Sequence, residues 1–136
     1  MEANKAILRH WVDELNRGSR AVLDELIVPE YLQHTIHPGT PQGLAGAKVA
    51  FERFWAAIPD MHIATEDMIA EGDRVVTRSI VRGTHRGEFM GVPATRRRIV
   101  FGSIDIFRLR EGKFVEHWDE VDRLGLLEQL LGRRLP

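Results

Sequence analysis

Residues 112–122, GKFVEHWDEVD, decide how the rest of the chain is arranged. The stretch follows a Glu-Gly turn, and its period of two predicts a β-strand that ends in a carboxylate. Strict alternation gives one face Phe114, Glu116, Trp118, Glu120 and Asp122, and gives the other Lys113, Val115, His117, Asp119 and Val121. We therefore expect Asp122 to share a face with a phenylalanine and a tryptophan.

This placement leaves two interpretations of Asp122. On a buried face the carboxylate would be partly desolvated, which would make it a candidate general base. Asp122 also directly precedes an apolar helical pattern that begins at Arg123, and aspartate is a preferred helix N-cap. The spacing alone favours the cap.

The composition indicates one globular domain over residues 1–136, with 43% hydrophobic and 29% charged residues. A net charge of -1 provides no basic field for nucleic acid. The chain has no cysteine, which excludes disulfides, thiolate metal sites and a cysteine nucleophile. We find no signal peptide and no membrane-length apolar run, and we expect a cytoplasmic protein without membrane contact.

The order of elements predicts an α+β fold. Apolar residues at helical spacing indicate helices over residues 3–17, from Ser19 as a cap to Ile27, and over residues 44–58. Period-two patterns then predict strands over residues 62–70, 74–85, 99–110 and 112–122, followed by a short C-terminal helix. We expect a strongly curved antiparallel sheet, a cone-shaped barrel closed by the N-terminal helices around an apolar cavity.

Four segments carry a resemblance to a known family. They are YLQHTIHPGTPQG, AEGDRVVTRSIVRGTHRGEFMGVPAT, IDIFRLREGKFVEHWDEVD and LGLLEQLLG. In this order and spacing they resemble the SnoaL-like polyketide cyclases, also described as predicted ester cyclases. The resemblance implies the α+β cone of the nuclear-transport-factor-like superfamily. It also implies an intramolecular aldol ring closure that needs neither a metal nor an organic cofactor.

The resemblance assigns roles to particular residues. It makes Asp122 the catalytic base and His34 a hydrogen-bond donor to a substrate carbonyl, although a loop histidine can instead bind the backbone. His85 would lie at the mouth of the pocket or, on spacing alone, fix the end of a strand. The expected substrate-binding residues, each of which also suits a plain core, are Trp11, Phe51, Phe54, Phe101 and Trp118.

Three further expectations concern neighbouring side chains. Strict alternation puts His117 on the opposite face of the strand from Asp122. His117 is therefore expected to be structural or at a subunit interface unless a bulge rotates it. Glu116 is expected to pair with Arg108 rather than to act on Asp122. No metal site is expected, because the HTIH sequence at His34 and His37 lacks the helical spacing of zinc motifs.

The predicted function is a cofactor-independent small-molecule enzyme, polyketide cyclase-like, that acts on a small apolar or polyketide-like ligand. The alternatives are a hydrolase of the same fold, for epoxides or esters, and a non-catalytic ligand-binding domain. We expect a homodimer formed through the outer sheet face that carries Val115, His117 and Val121.

Overall fold

The computed structural model describes residues 1–35 and 39–136. Four helices and five strands follow one another in the predicted helix-then-sheet order, except that a strand also follows the second helix. They are α1 (Glu2–Asn16), α2 (Ala21–Leu26), β1 (Ile27–Gln33), α3 (Gly43–Ala57), β2 (His62–Glu71), β3 (Arg74–Thr84), β4 (Arg98–Arg110), β5 (Lys113–Val121) and α4 (Arg123–Leu131).

The N-terminal helices form where the apolar spacing predicts them. Helix α1 buries Leu8, Trp11 and Leu15, which are spaced to lie on one stripe. The expected Ser19 cap of α2 is wrong: Arg20 occupies the N-cap without a side-chain hydrogen bond. Helix α2 also ends one residue early, because Ile27 is already extended and begins β1.

The sheet is mixed and open, with the strand order β1-β5-β4-β3-β2. Strands β2 to β5 pair antiparallel as predicted, whereas β1 pairs parallel to β5. The prediction of an all-antiparallel sheet is therefore wrong at one edge. Since β1 and β2 are edge strands, strand pairing does not close the expected barrel.

A β-bulge in β5 changes which side chains face inward. Phe114 pairs with Leu109 of β4, but the next partner of β4, Arg108, pairs with Glu116, so the register skips Val115. An extra residue of this kind shifts the alternation of the following side chains by one position. Phe114 and His117 are consequently both buried, and the face assigned to residues 116–121 from sequence is inverted.

The helices cover the inner face of the sheet. Trp11 of α1 contacts the rings of Phe107 and Phe114 edge-on, with centroids 6.4 and 5.1 Å apart. A cavity of about 300 Å³ lies between this layer of helices and the sheet. Within the described parts of the chain, no helix combines the length and the apolarity needed to cross a bilayer.

Candidate active site

The cavity has mostly apolar walls. Four side chains predicted to bind substrate, Trp11, Phe51, Phe54 and Phe101, line it. Further apolar lining comes from α1, α3, α4, the α3–β2 and β3–β4 connections and the sheet, including Leu8, Val12, Leu15, Ile27, Ala47, Ala50, Met61, Ile63, Val81, Phe89, Phe107 and Leu126. The wall suits an apolar ligand.

Inward-facing polar side chains interrupt this wall on three adjacent strands. Thr77, Asp105 and Asp119 occupy one row across β3, β4 and β5, since each pairs with the next in register. Ser79 and Ser103 begin the neighbouring row. All five line the cavity, so the sheet supplies a polar strip beneath an apolar roof.

His117 is fixed at one end of this strip. It is 6% exposed, its Nε2 lies 2.8 Å from Asp105 Oδ1, and its Nδ1 lies 2.9 Å from Gln33 Oε1. Both ring nitrogens thus face oxygen acceptors, an arrangement that the doubly protonated ring can satisfy. The second oxygen of Asp105 accepts a 2.6 Å hydrogen bond from Ser103 Oγ.

Asp119 is held differently. The hydroxyl of Thr35 donates to its Oδ1. Its Oδ2 makes no hydrogen bond with any residue in the described ranges 1–35 and 39–136, although the side chain lines the cavity. Asp119 therefore has one carboxylate oxygen available to a ligand, whereas both oxygens of Asp105 have partners.

Tyr31 of β1 completes the polar region. It is 5% exposed, lines the cavity, and its ring stacks on that of His117 at a centroid distance of 6.3 Å. Burial, reinforced by the negative charges of Asp105 and Asp119, raises the pKa of the Tyr31 hydroxyl well above its usual value. The phenol therefore keeps its proton at neutral pH.

Exposed side chains mark the opening of the cavity. Arg53 of α3, Met90 of the β3–β4 connection and Arg123 at the start of α4 all line the cavity and are exposed to solvent. Exposure at a lining position places them where the cavity meets solvent. The acidic groups therefore face the interior, while basic groups lie at the mouth.

The same polar strip offers the atoms of a possible metal site. Asp105, His117 and Asp119 each present a ligand atom, and these atoms lie within 4.8 Å of one another. The residue types suit a divalent cation. However, both ring nitrogens of His117 already have partners, Nε2 in Asp105 and Nδ1 in Gln33.

The structure places Asp122 outside this site. Asp122 is exposed and serves as the N-cap of α4, where its Oδ1 accepts a 3.0 Å hydrogen bond from the backbone N–H of Gly125. The premise that it shares a buried face with Phe114 and Trp118 is wrong, because the bulge reverses that face. The cap interpretation drawn from spacing is the one the structure confirms.

His34 and Trp118 also lie on the outer side of the sheet. Their rings stack with centroids 4.6 Å apart, and Arg74 lies over the same indole. His34 Nε2 is 2.6 Å from Glu116, which also accepts a 2.7 Å hydrogen bond from Arg108. These two hydrogen bonds lower the pKa of Glu116. The predicted Glu116–Arg108 pair is confirmed, whereas neither His34 nor Trp118 lines the cavity.

His85 lies at the end of β3 rather than in the cavity wall. It is fully buried, and its Nδ1 contacts the hydroxyl and the backbone N–H of Thr95 at 2.9 and 3.2 Å. Its backbone bonds to Arg96 and Arg97 close the β3–β4 connection. These contacts match the strand-end interpretation. His37 lies outside the described residues.

Sequence reasoning missed the inward-facing polar residues for two reasons. The bulge turns the side chains of His117 and Asp119 to the inner face, opposite to the face that strict alternation predicts. The sequence pattern also predicts helix and loop where the structure has β1, the strand that carries Tyr31. A signal for Asp105 was nevertheless present. The alternation that places Phe101 and Phe107 of β4 in the wall also places Asp105 on that face.

The fold and the site can be compared with known proteins. The chain is 33% identical to the nogalonic acid methyl ester cyclase of Streptomyces nogalater over 125 residues, covering 88% of this chain and 90% of that protein. It is 29% identical to the aklanonic acid methyl ester cyclase DauD of Streptomyces sp. (strain C5), covering 91% of this chain and 79% of that protein. Both relatives are named as cyclases.

Solved structures agree with this comparison. The structure of TsrD from Streptomyces laurentii superposes with a TM-score of 0.86 at 34% identity, covering 95% of each chain. A model of the SnoaL-like polyketide cyclases matches residues 5–130 of this chain. The chain therefore belongs to the SnoaL-like polyketide cyclase family.

Proposed function

We propose that this protein is a cofactor-independent enzyme that catalyses an aldol-type ring closure, with Asp119 as the general base. The observation that carries the proposal is Oδ2 of Asp119, which has no hydrogen-bond partner among the described residues and lies in a cavity with mostly apolar walls. A carboxylate there is shielded from bulk water yet accessible to a ligand, as proton abstraction from carbon requires. The cyclase names of the relatives support the reaction class.

The proposed reaction needs no net supply of protons. Asp119 takes a proton from a carbon between two carbonyl groups, and the electron pair of that C–H bond forms an enolate. The enolate carbon attacks a carbonyl carbon of the same molecule, so that one carbon–carbon bond forms. The resulting alkoxide takes the proton back from Asp119, which restores the carboxylate for the next cycle.

The neighbouring pair would assist without touching the reacting carbon. Asp105 and His117 form a hydrogen-bonded pair that is anchored by Ser103 and Gln33. These contacts would hold the ring of His117 in place close to Asp119 in the strip.

The proposed substrate is a small, largely apolar polyketide-like molecule. Aromatic side chains at Trp11, Phe51, Phe54 and Phe101 would pack against its rings. The polar strip would then lie against the part of the molecule that bears carbonyl groups. Because Asp119 comes from the sheet and the aromatic roof from the helices, a planar substrate would lie between them.

Deuterium exchange tests the proposal without knowledge of the natural substrate. Wild-type protein in heavy water is incubated with a panel of aromatic β-keto esters and β-diketones, beside the Asp119→Asn and Asp122→Asn variants. We expect enzyme-dependent deuterium uptake to fall by about 10²- to 10⁴-fold in Asp119→Asn. Asp122→Asn, which keeps a good N-cap, should retain it.

Two results would contradict this function. One is equal uptake by wild type and Asp119→Asn. The other is incorporation of ¹⁸O from labelled water into epoxide or ester substrates without carbon-bound deuterium. That second result would favour the hydrolase of the same fold.

A further inference from the structure

The hydroxyl of Tyr31 is available to a molecule in the cavity. The side chain is 5% exposed and lines the cavity, yet its hydroxyl makes no hydrogen bond within the described residues. This hydroxyl is not among the enclosed polar atoms that lack a partner, so it is open to the cavity rather than sealed off by protein. An acceptor on a bound ligand can therefore take its hydrogen bond.

Three of the four nearby carboxylate oxygens already have partners. Asp105 uses its two oxygens on His117 and Ser103, and Asp119 uses Oδ1 on Thr35. The fourth, Oδ2 of Asp119, is the proposed base. Tyr31 lines the same cavity as both carboxylates, and its ring stacks on that of His117, which contacts Asp105. A ligand that reaches Asp119 is therefore also close to the phenol.

The phenol is suited to donate rather than to ionise. Its raised pKa, caused by burial and by the two carboxylates, keeps the proton on oxygen. The side chain is 5% exposed and its ring lies nearly parallel to that of His117, which restricts the movement of the phenol. A fixed neutral donor is the kind of group that stabilises a developing oxyanion without reorganisation.

We propose that the Tyr31 hydroxyl binds the carbonyl oxygen next to the acidic carbon of the substrate and holds the enolate oxygen that forms there. The role as enolate donor rests on the proposed function of Asp119. The C–H proton passes to Asp119, the electron pair moves onto the oxygen, and Tyr31 keeps its own proton throughout. Ligands of this site would be ketones and ketoesters on an aromatic frame.

A matched pair of neutral probes tests the binding step independently of catalysis. 9-Fluorenone and fluorene have the same ring frame, and only the ketone offers an acceptor. We expect wild type to bind 9-fluorenone about 3- to 10-fold more tightly than fluorene, as one net hydrogen bond allows. In Tyr31→Phe this preference should disappear while fluorene affinity is unchanged, as measured by quenching of tryptophan fluorescence.

Infrared spectroscopy of bound 9-fluorenone supplies a signature that a merely structural role would not produce. The carbonyl stretch should lie at lower frequency in wild type and in Asp119→Asn than in Tyr31→Phe. An identical carbonyl frequency in wild type and Tyr31→Phe would overturn the proposal, as would a ketone preference that survives in Tyr31→Phe. Thermal melts of Tyr31→Phe establish that the fold is intact.

Deuterium exchange then separates the two proposals. We expect Tyr31→Phe to lower uptake by about 10²- to 10³-fold, the range found for single oxyanion donors. If Asp119→Asn loses deuterium uptake but still lowers the carbonyl frequency of bound 9-fluorenone as wild type does, both proposals are supported. If Asp119→Asn keeps full deuterium uptake and also lowers that frequency, the catalytic function is contradicted but the Tyr31 carbonyl site is not.

Discussion

Asp105 and Asp119 lie directly opposite each other on adjacent strands, yet their carboxylates have different hydrogen-bond partners. Both oxygens of Asp105 accept hydrogen bonds from side chains, whereas Asp119 keeps one oxygen free of contacts with the described residues. The environment thus separates two chemically identical groups into one whose oxygens both have partners and one that can still accept a hydrogen bond. Such separation is how neighbouring carboxylates take different roles in enzymes.

The first prediction compares these two aspartates. Asp105→Asn should lower the rate of deuterium uptake by about 10-fold, less than the 10²- to 10⁴-fold expected for Asp119→Asn. The smaller loss reflects an indirect role, since Asp105 acts by orienting His117. A larger loss in Asp105→Asn than in Asp119→Asn would reverse the assignment.

The second prediction concerns the helix cap. Asp122→Ala should lower the free energy of unfolding by about 1 kcal/mol, because the backbone N–H of Gly125 loses its acceptor. Asp122→Asn should lower it by less, since asparagine caps helices well. Urea denaturation measures both values. A loss of activity in Asp122→Asn with unchanged stability would restore Asp122 as a catalytic candidate.

The third prediction is a pH dependence of stability at Glu116. Hydrogen bonds from His34 and Arg108 lower the pKa of Glu116 below its ordinary value of 4.5. A depressed folded-state pKa stabilises the protein above the unfolded pKa, and this stabilisation is lost as the pH falls through the folded pKa. Glu116→Gln should therefore be less stable than wild type at pH 7, with a difference that narrows below about pH 4.5.

Melting temperatures between pH 3 and 8 check this dependence. The matched control is Glu120→Gln, an exposed glutamate on the same face of the same strand for which no ion pair is seen among the described residues. A constant difference between Glu116→Gln and wild type across the whole range would contradict the ion-pair explanation.

The fourth prediction concerns metals. Activity should survive dialysis against a chelator, because the proposed proton transfer uses the free carboxylate of Asp119 rather than a Lewis acid. Added zinc should inhibit if it enters the cluster of Asp105, His117 and Asp119, since coordination would occupy the base. Loss of activity on chelation, with recovery on addition of one divalent cation, would make that cluster a metal site.

The fifth prediction concerns association. We propose a homodimer through the outer sheet face, where Leu32, Val100 and Ile104 are each nearly half exposed. His117 and Val121, expected on this face, line the cavity instead. Ile104→Glu should therefore give a monomer, whereas Leu124→Glu on α4 should not. Sedimentation equilibrium measures the mass, and a concentration-independent wild-type monomer would contradict the proposal.

The elements of this fold follow closely from local patterns. The hairpins at Gly72 and Gly112 and the four C-terminal strands were predicted almost to the residue, since period-two patterns bounded by glycine turns leave few alternatives. Strand β1 was missed because Pro29 interrupts its pattern. Its pairing with β5 also joins residues more than 80 positions apart, which no local pattern encodes.

The candidate site was predictable in its walls but not in its polar groups. Aromatic residues such as Trp11 and Phe101 are wall candidates by type and periodicity alone. The orientation of Asp119 depends on one unpaired residue, Val115, because a bulge exchanges the two faces of the strand beyond it. The sequence pattern therefore predicts Asp119 on the outer face, and the family resemblance, not the pattern, made Asp122 the base.

The polar strip and the cavity mouth belong to different parts of the chain. The side chains of the strip belong to the paired strands β3 to β5. At the mouth, Arg53 belongs to α3, Met90 to the β3–β4 connection and Arg123 to the start of α4. Substitutions at the mouth can alter which molecules enter without disturbing the register that aligns the polar side chains of the strip. Redesign of ligand selection in this protein can therefore begin at the mouth.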